Sequence, residues 1–176
     1  MIKVHQYKAG KDGKWLDDAI SIWSGLFNWG TPPYSHTEIQ LSVCFAQQQP
    51  YSRQYYDKCF SSATRGDGFV GTRWADAAHI LRHPERWDTY TFNESSHYLK
   101  ACVERADEIA GQKYFYLGIA LDYFLPLGWL GYFTGKGLKQ WYCSQAIYYV
   151  LTGKRTRISP RRLTRWLLKN GFVKDA

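Results

Sequence analysis

The most constraining stretch is Ser35 to Phe45, which reads as the clearest strand of the chain. In extended chain, successive side chains point to opposite faces. Thr37, Ile39, Leu41, Val43 and Phe45 therefore share one face, and His36, Glu38, Gln40, Ser42 and Cys44 share the other. The apolar row must pack on a core. The polar row must line a surface or a cleft. Such a strand needs partner strands, and the sequence offers several. Ile2 to Tyr7 reads as a short strand, and Trp87 to Phe92 alternates again. Asp57 to Ala63 and Gly68 to Arg73 read as a pair about the tight-turn sequence Thr64-Arg65-Gly66-Asp67-Gly68. Polar or breaker stretches at Lys8–Gly13, Asn28–Pro33 and Gln47–Ser52 read as connections.

Helical periodicity appears between these strands. Trp15 to Trp23 carries apolar residues at helical spacing. Ser95 or Ser96 caps a helix that runs to Ala110, with Leu99, Cys102, Val103, Ala106 and Ile109 as its buried stripe and Gly111 as its stop. From Cys143, the positions Ala146, Ile147, Val150 and Leu151 complete one face, and Gly153 ends it. Ser159-Pro160 opens a last helix, with Leu163, Trp166 and Leu167 inward and Asn170-Gly171 at its end. The run Tyr114 to Phe133 is nearly as apolar and as long as a membrane span. Asp122, Pro126 and the glycines 118, 128 and 131 split it, so it is expected to be a buried helix followed by an aromatic loop near the cleft, or a lipid-contacting surface.

At 176 residues, with 8 Trp, 14 Tyr and 9 Phe, the chain suits one globular domain over 1–176 with a real core. The formal charge is +8, and Lys136 to Lys174 holds only basic charges. That end would suit an anionic cell wall or membrane surface. No nucleic-acid motif accompanies it, so a specific nucleic-acid partner is not expected. None of Cys44, Cys59, Cys102 and Cys143 forms CxxC or a Cys/His pair at zinc spacing, and neither a metal nor another cofactor is expected. The start Met1-Ile2-Lys3-Val4 lacks the apolar run of a signal peptide. The expectation is a cytoplasmic protein with four reduced thiols, or a phage-type protein released on lysis.

One cysteine stands apart. Cys143 falls in the first turn of its helix, among unsatisfied backbone N–H groups at the positive end of the helix dipole. Both favour the thiolate, the nucleophilic form. A thiol hydrolase also needs an imidazole to share and return the proton, and a polar group to orient that ring. Of His5, His36, His79, His83 and His97, His36 is best placed, on a strand's polar face with Glu38 two residues on. His79 and His83 are four apart and would share a helix face, but Pro84 follows at once and no third metal ligand is evident.

Ser35-His36-Thr37-Glu38 on a strand, followed by Tyr142-Cys143-Ser144-Gln145 at a helix start, resembles the circularly permuted branch of the NlpC-type papain-like hydrolases. That branch places the histidine strand before the cysteine helix, as here. Phe60-Ser61-Ser62, Gly111-Gln112-Lys113-Tyr114 and Ile158-Ser159-Pro160-Arg161-Arg162-Leu163 also fit, so the resemblance covers about 35–168. It implies an α+β fold, a half-open antiparallel sheet packed against the cysteine helix. It implies that Cys143 attacks an amide or ester carbonyl to give a thioester, and that His36 moves the proton. The third residue would be Glu38, with Ser61 or Ser62 as alternatives. The chain departs from the branch in having Gln145 where Glu is frequent.

Three functions follow from this reading. One is a cysteine peptidase or amidase acting on a cell-wall peptide or related amide. Another is a lipid acyl hydrolase or acyltransferase of lecithin–retinol acyltransferase type. The last is a binding module that keeps the fold without turnover. The partner is accordingly a peptide, amide or lipid-like substrate. Oligomeric state has no signature in the sequence.

Overall fold

The computed structural model describes residues 1–8, 34–46, 53–64, 70–93, 95–115 and 140–176. The expected Trp15–Trp23 helix, the Asn28–Pro33 break, the Gln47–Ser52 loop, the centre of the Thr64–Gly68 turn and the Tyr114–Phe133 run beyond Phe115 lie outside the described residues. The fold is α+β: one eight-stranded sheet with helices packed on it. In chain order the strands are β1 (Ile2–Lys8), β2 (Tyr34–Ala46), β3 (Arg53–Ala63), β4 (Gly71–Asp76), β5 (Trp87–Phe92), β6 (Lys113–Tyr114), β7 (Gln140–Trp141) and β8 (Val173–Lys174). Among the described residues the helices are α1 (Ala77–Ile80), α2 (Ser96–Ile109), α3 (Cys143–Thr152) and α4 (Pro160–Lys169).

Across the sheet the order is β7-β6-β4-β3-β2-β1-β5-β8. Every pairing is antiparallel except the two-residue β6–β7 edge. The alternating stretch read from sequence is thus a central strand, flanked by β1 and β3. Its apolar row behaves as the periodicity requires: Ile39 and Leu41 are buried, and they cluster with Ile2 and Val4 of β1, Phe60 of β3 and Tyr90 of β5. Helices α2, α3 and α4 close this core with Cys102, Ala106, Ile109, Ala146, Ile147, Val150, Leu151, Leu163 and Leu167. The side chains of Val43, Cys44 and Phe45 lie outside those described.

The end signals also act as read. Ser95 Oγ accepts from the Tyr98 N–H, and Ser159 Oγ accepts from the Arg162 N–H. Gly153 ends α3 at φ 71°, a left-handed conformation that suits glycine. Three short strands, β6, β7 and β8, escaped periodicity because two residues carry no period. His79 and His83, whose spacing would allow a shared helix face, do not share one. Helix α1 ends at Ile80, and His83 precedes a 3-10 turn at Pro84–Arg86. Proline at 84 restricts the residue before it to extended backbone, which stops the helix short of His83.

Candidate active site

Two features of the sheet create the site. First, the β2–β3 ladder runs from Ala46↔Arg53 to Ile39↔Phe60 and stops. Beyond it, β3 continues against β4 through Ser61, Ser62 and Ala63, while β2 continues against β1. The two central strands therefore part at the end that carries His36 and Glu38. Second, the β1–β2 register shifts between Tyr7 and Lys8, so Tyr7 faces His36 but Lys8 faces Tyr34. Ser35 is the extra residue of that bulge. Bulges re-aim side chains. Here Tyr34 turns to the core side, where its hydroxyl donates to Asp88 Oδ2 at 2.5 Å and meets Tyr90 Oη at 3.0 Å. His36 faces the other way, beside Tyr7, Trp87 and Glu38.

Helix α3 packs against both β2 and β3 and brings Cys143 to this parting. Its placement is held at both ends. Fully burying Ile147, Val150 and Leu151 stabilises the docked helix by roughly 1.5–3 kcal/mol each. At the C-terminal end, Arg105 Nη1 donates to the carbonyls of Val150 and Leu151 at 3.0 and 3.2 Å, and the Tyr98 hydroxyl donates to that of Leu151 at 2.7 Å. At the N-terminal end, the Ser62 hydroxyl and the Phe115 N–H both donate to the Trp141 carbonyl, at 2.6 and 3.0 Å. Trp141 Nε1 donates to Gln112 Oε1 at 2.7 Å, and Arg155 lies 4.4 Å above the Trp141 ring. Ser144 Oγ donates to the Ile158 carbonyl at 2.5 Å, and the Ile158 N–H donates to the Tyr142 hydroxyl at 3.0 Å. These bonds tie the start of α3 to the segment leading into α4.

The first residue of α3 is Cys143, 4 % exposed, and the first turn closes with the Ala146 N–H on the Tyr142 carbonyl. His36 Nε2 lies 2.9 Å from Glu38 Oε1. The Cys143 thiol lies close enough to the ring to act on its pKa. With Nε2 on Glu38, Nδ1 is the ring nitrogen left for the sulfur. Burial alone would lower the His36 pKa. The Cys143 thiol and the hydrogen bond to Glu38 outweigh burial and lift it from 6.5 to about 10. The ring keeps a path to solvent, since its side chain is 25 % exposed, whereas that of Glu38 is only 3 % exposed. The arrangement is a sulfur, an imidazole and a carboxylate gathered at a helix N-terminus.

The three residues singled out from sequence thus lie together. Of the alternatives for the third position, Ser62 is occupied with the Trp141 carbonyl and Ser61 is buried in β3. Glu38 is the group bonded to the imidazole. Cys102 lies in the core, where burial pushes its thiol up to about 11. Burial raises the Cys59 thiol as well. Cys59, Cys102 and Cys143 are all free thiols. Among the described residues, no three His, Cys, Asp or Glu side chains group as a metal site, and no helix is long and apolar enough to cross a membrane.

The sequence did not point to two neighbours of the site. His5 stands directly across from Glu38 in the β1–β2 ladder. Gln40 Nε2 donates to both Asp57 oxygens at 2.7 and 2.8 Å, so Gln40 Oε1 is the acceptor for His5 Nε2 at 2.8 Å. His5 Nδ1 then accepts from the Thr89 hydroxyl at 2.9 Å. Burial lowers the His5 pKa, which favours the neutral ring beside the buried Glu38 side chain. Trp87 sets its ring edgewise to His36, Tyr7 and His5, with centroids 6.4, 5.0 and 6.3 Å away. Neither relation has a signal in local spacing, because both depend on strand register.

No protein-family model matches the chain, and no curated protein matches it in sequence.

Proposed function

We propose that the chain is a cysteine hydrolase or acyltransferase acting on an amide or ester, on a permuted papain-like plan. One observation carries this reading: His36 is hydrogen-bonded to the Glu38 carboxylate and lies beside the Cys143 thiol, at the first turn of a well-anchored helix. An inert core cysteine has no use for such a partner. The order of the elements, with the histidine strand before the cysteine helix, also supports the permuted plan.

Chemistry follows from the geometry. His36 accepts the thiol proton, and the sulfur acts as the thiolate half of the resulting ion pair. The sulfur attacks the substrate carbonyl, forming the S–C bond and moving the π electrons onto oxygen. First-turn N–H groups of α3 stabilise that oxyanion. Collapse breaks the bond to the leaving nitrogen or oxygen, which takes the proton from His36. A water then gives its proton to His36 and forms the new C–O bond. The C–S bond breaks, and the free acid leaves the thiolate–imidazolium pair restored. With another acceptor in place of water, the same steps transfer the acyl group. Glu38 orients the ring and stabilises its positive form throughout.

The test is site-resolved alkylation. Iodoacetamide should label Cys143 far faster than Cys59 or Cys102 at pH 7, and His36→Ala should remove that advantage while the circular dichroism spectrum stays unchanged. Equal labelling of the three thiols would defeat the proposal.

A further inference from the structure

The strand ladders set a row of rings beside the site. Tyr7 of β1 stands directly opposite His36 of β2 on one side and Trp87 of β5 on the other. Residues directly opposite in an antiparallel pair share a face, so all three rings lie on the face that carries His36. Trp87 is two strands from His36, about 10 Å by backbone spacing. Its ring centroid is nevertheless 6.4 Å from that of the imidazole and 5.0 Å from that of Tyr7. The indole therefore leans back over β1 toward the site. Tyr7, His36 and Trp87 are each only partly buried, so this wall has surface that a bound molecule can touch. Among the described residues, neither Tyr7 nor Trp87 belongs to the hydrophobic core cluster. Core packing thus gives no reason for an indole beside the imidazole. Strand order says which part of a substrate meets it. Helix α3 packs against β2 and β3, so Cys143 comes to His36 from the β3 side. Tyr7 and Trp87 flank the same imidazole from the β1 side. The sulfur holds the carbonyl carbon, and the leaving nitrogen or oxygen must reach His36 to take its proton. The substituent on that atom continues past the imidazole, away from the sulfur, where the indole stands.

We infer that Trp87 and Tyr7 form a leaving-group subsite, so that the site prefers amides and esters whose amine or alcohol carries an aromatic ring. The inference rests on Cys143 being the reactive thiol. A ring on the leaving group packs against the indole and phenol, and aromatic pairs gain from their geometry beyond the area they bury. A ring on the acyl group stays on the sulfur's side of the imidazole and does not meet this wall. Trp87 is the specificity-determining residue, because its ring is the one that reaches from β5 toward the imidazole.

The test uses three thioesters: S-ethyl thioacetate, S-benzyl thioacetate, which adds a ring on the leaving thiol, and the S-ethyl thioester of phenylacetic acid, which adds one on the acyl group. In each, Cys143 forms a new bond to the acyl carbon, and the departing thiol takes the proton from His36. Thiol release is timed, acylation at Cys143 is located by mass spectrometry, and each rate is divided by that for glutathione. The normalised benzyl-to-ethyl ratio for the two thioacetates should be about fivefold in the parent chain, the effect of one aromatic pair. It should fall to near one in Trp87→Leu and persist in Trp87→Phe. Tyr7→Leu should lower it as well, which keeps the subsite open to test if the exchange at 87 unfolds the chain. The effect of a ring on the acyl group should be unmoved by either Leu variant. A parent ratio near one, or a ratio unmoved by both Leu variants, overturns the inference while the hydrolase reading stands. An equal slowing of all three reagents does the same, since that marks a structural role. Absence of acylation at Cys143 with every reagent, or undiminished acylation in His36→Ala, defeats the hydrolase reading and the inference with it.

Discussion

Replacing Glu38 with Gln isolates the electrostatic half of the proposed site. The exchange keeps the side chain's shape and an acceptor oxygen 2.9 Å from His36 Nε2, and removes the charge. Lifting His36 from 6.5 to about 10 corresponds to about 5 kcal/mol favouring the protonated ring, at about 1.4 kcal/mol per pH unit. Cys143 and Glu38 share that effect, and burial works against both. Cys143 is the larger contributor and Glu38 the smaller, so Glu38→Gln should bring His36 down by less than half of that rise, on the order of one pH unit. The assay is a titration of the ring carbons of 13C-histidine-labelled protein by NMR, with the His36 resonance identified from His36→Ala. The upper limb of the pH profile for Cys143 alkylation should move down with it. An NMR midpoint in the parent chain near 6.5 would refute the ion-pair reading. A midpoint unmoved by Glu38→Gln would refute the role given to the carboxylate.

The same displacement has a consequence for stability. A histidine whose pKa is raised on folding contributes most below its unfolded value of about 6.5, and that contribution is lost as pH rises toward 10. Urea unfolding at pH 6 and pH 9.5 should show a loss in the parent chain that is much smaller in His36→Ala. Ser62→Ala removes a buried bond to the Trp141 carbonyl and should cost about 1–2 kcal/mol in urea unfolding while also slowing Cys143 alkylation. If alkylation fell by as much as in His36→Ala with stability unchanged, Ser62 would be the third catalytic group instead. Gly153→Ala places a Cβ at φ 71°, 3.3 Å from Arg105 Nε, and disturbs the guanidinium that caps α3. It should lower the melting temperature by several degrees, the effect of about 1–2 kcal/mol. Ile147→Ala opens a cavity between α3 and the sheet, and a loss of about 2–5 kcal/mol is expected by denaturant titration.

The strand Tyr34–Ala46, the three long helices and their caps were legible because each rests on local rules: alternation, the 3.6-residue stripe, Ser before a helix and Gly after it. Cys143 was legible for the same reason, since a helix start is a local property, and His36 and Glu38 share a strand face by parity alone. Three other relations were beyond local reading. Ser35 is a bulge residue only because β1 pairs with β2 in a shifted register. His5 neighbours Glu38 only across the ladder, and Trp87 reaches His36 only because β5 lies beside β1. Ser62, a reasonable candidate by order along the chain, turned out to hold the Trp141 carbonyl, because the strand it belongs to leaves β2 for β4.

By itself, then, the sequence determined which residues can extend, which can coil, and where a thiol would meet the positive end of a helix, because sterics and side-chain period act over a few residues. The tertiary structure decided that β2 and β3 part at His36 and that the sulfur and the imidazole meet in that opening. Those outcomes depend on strand register and helix docking, which join residues about a hundred positions apart and are set by packing of the whole sheet.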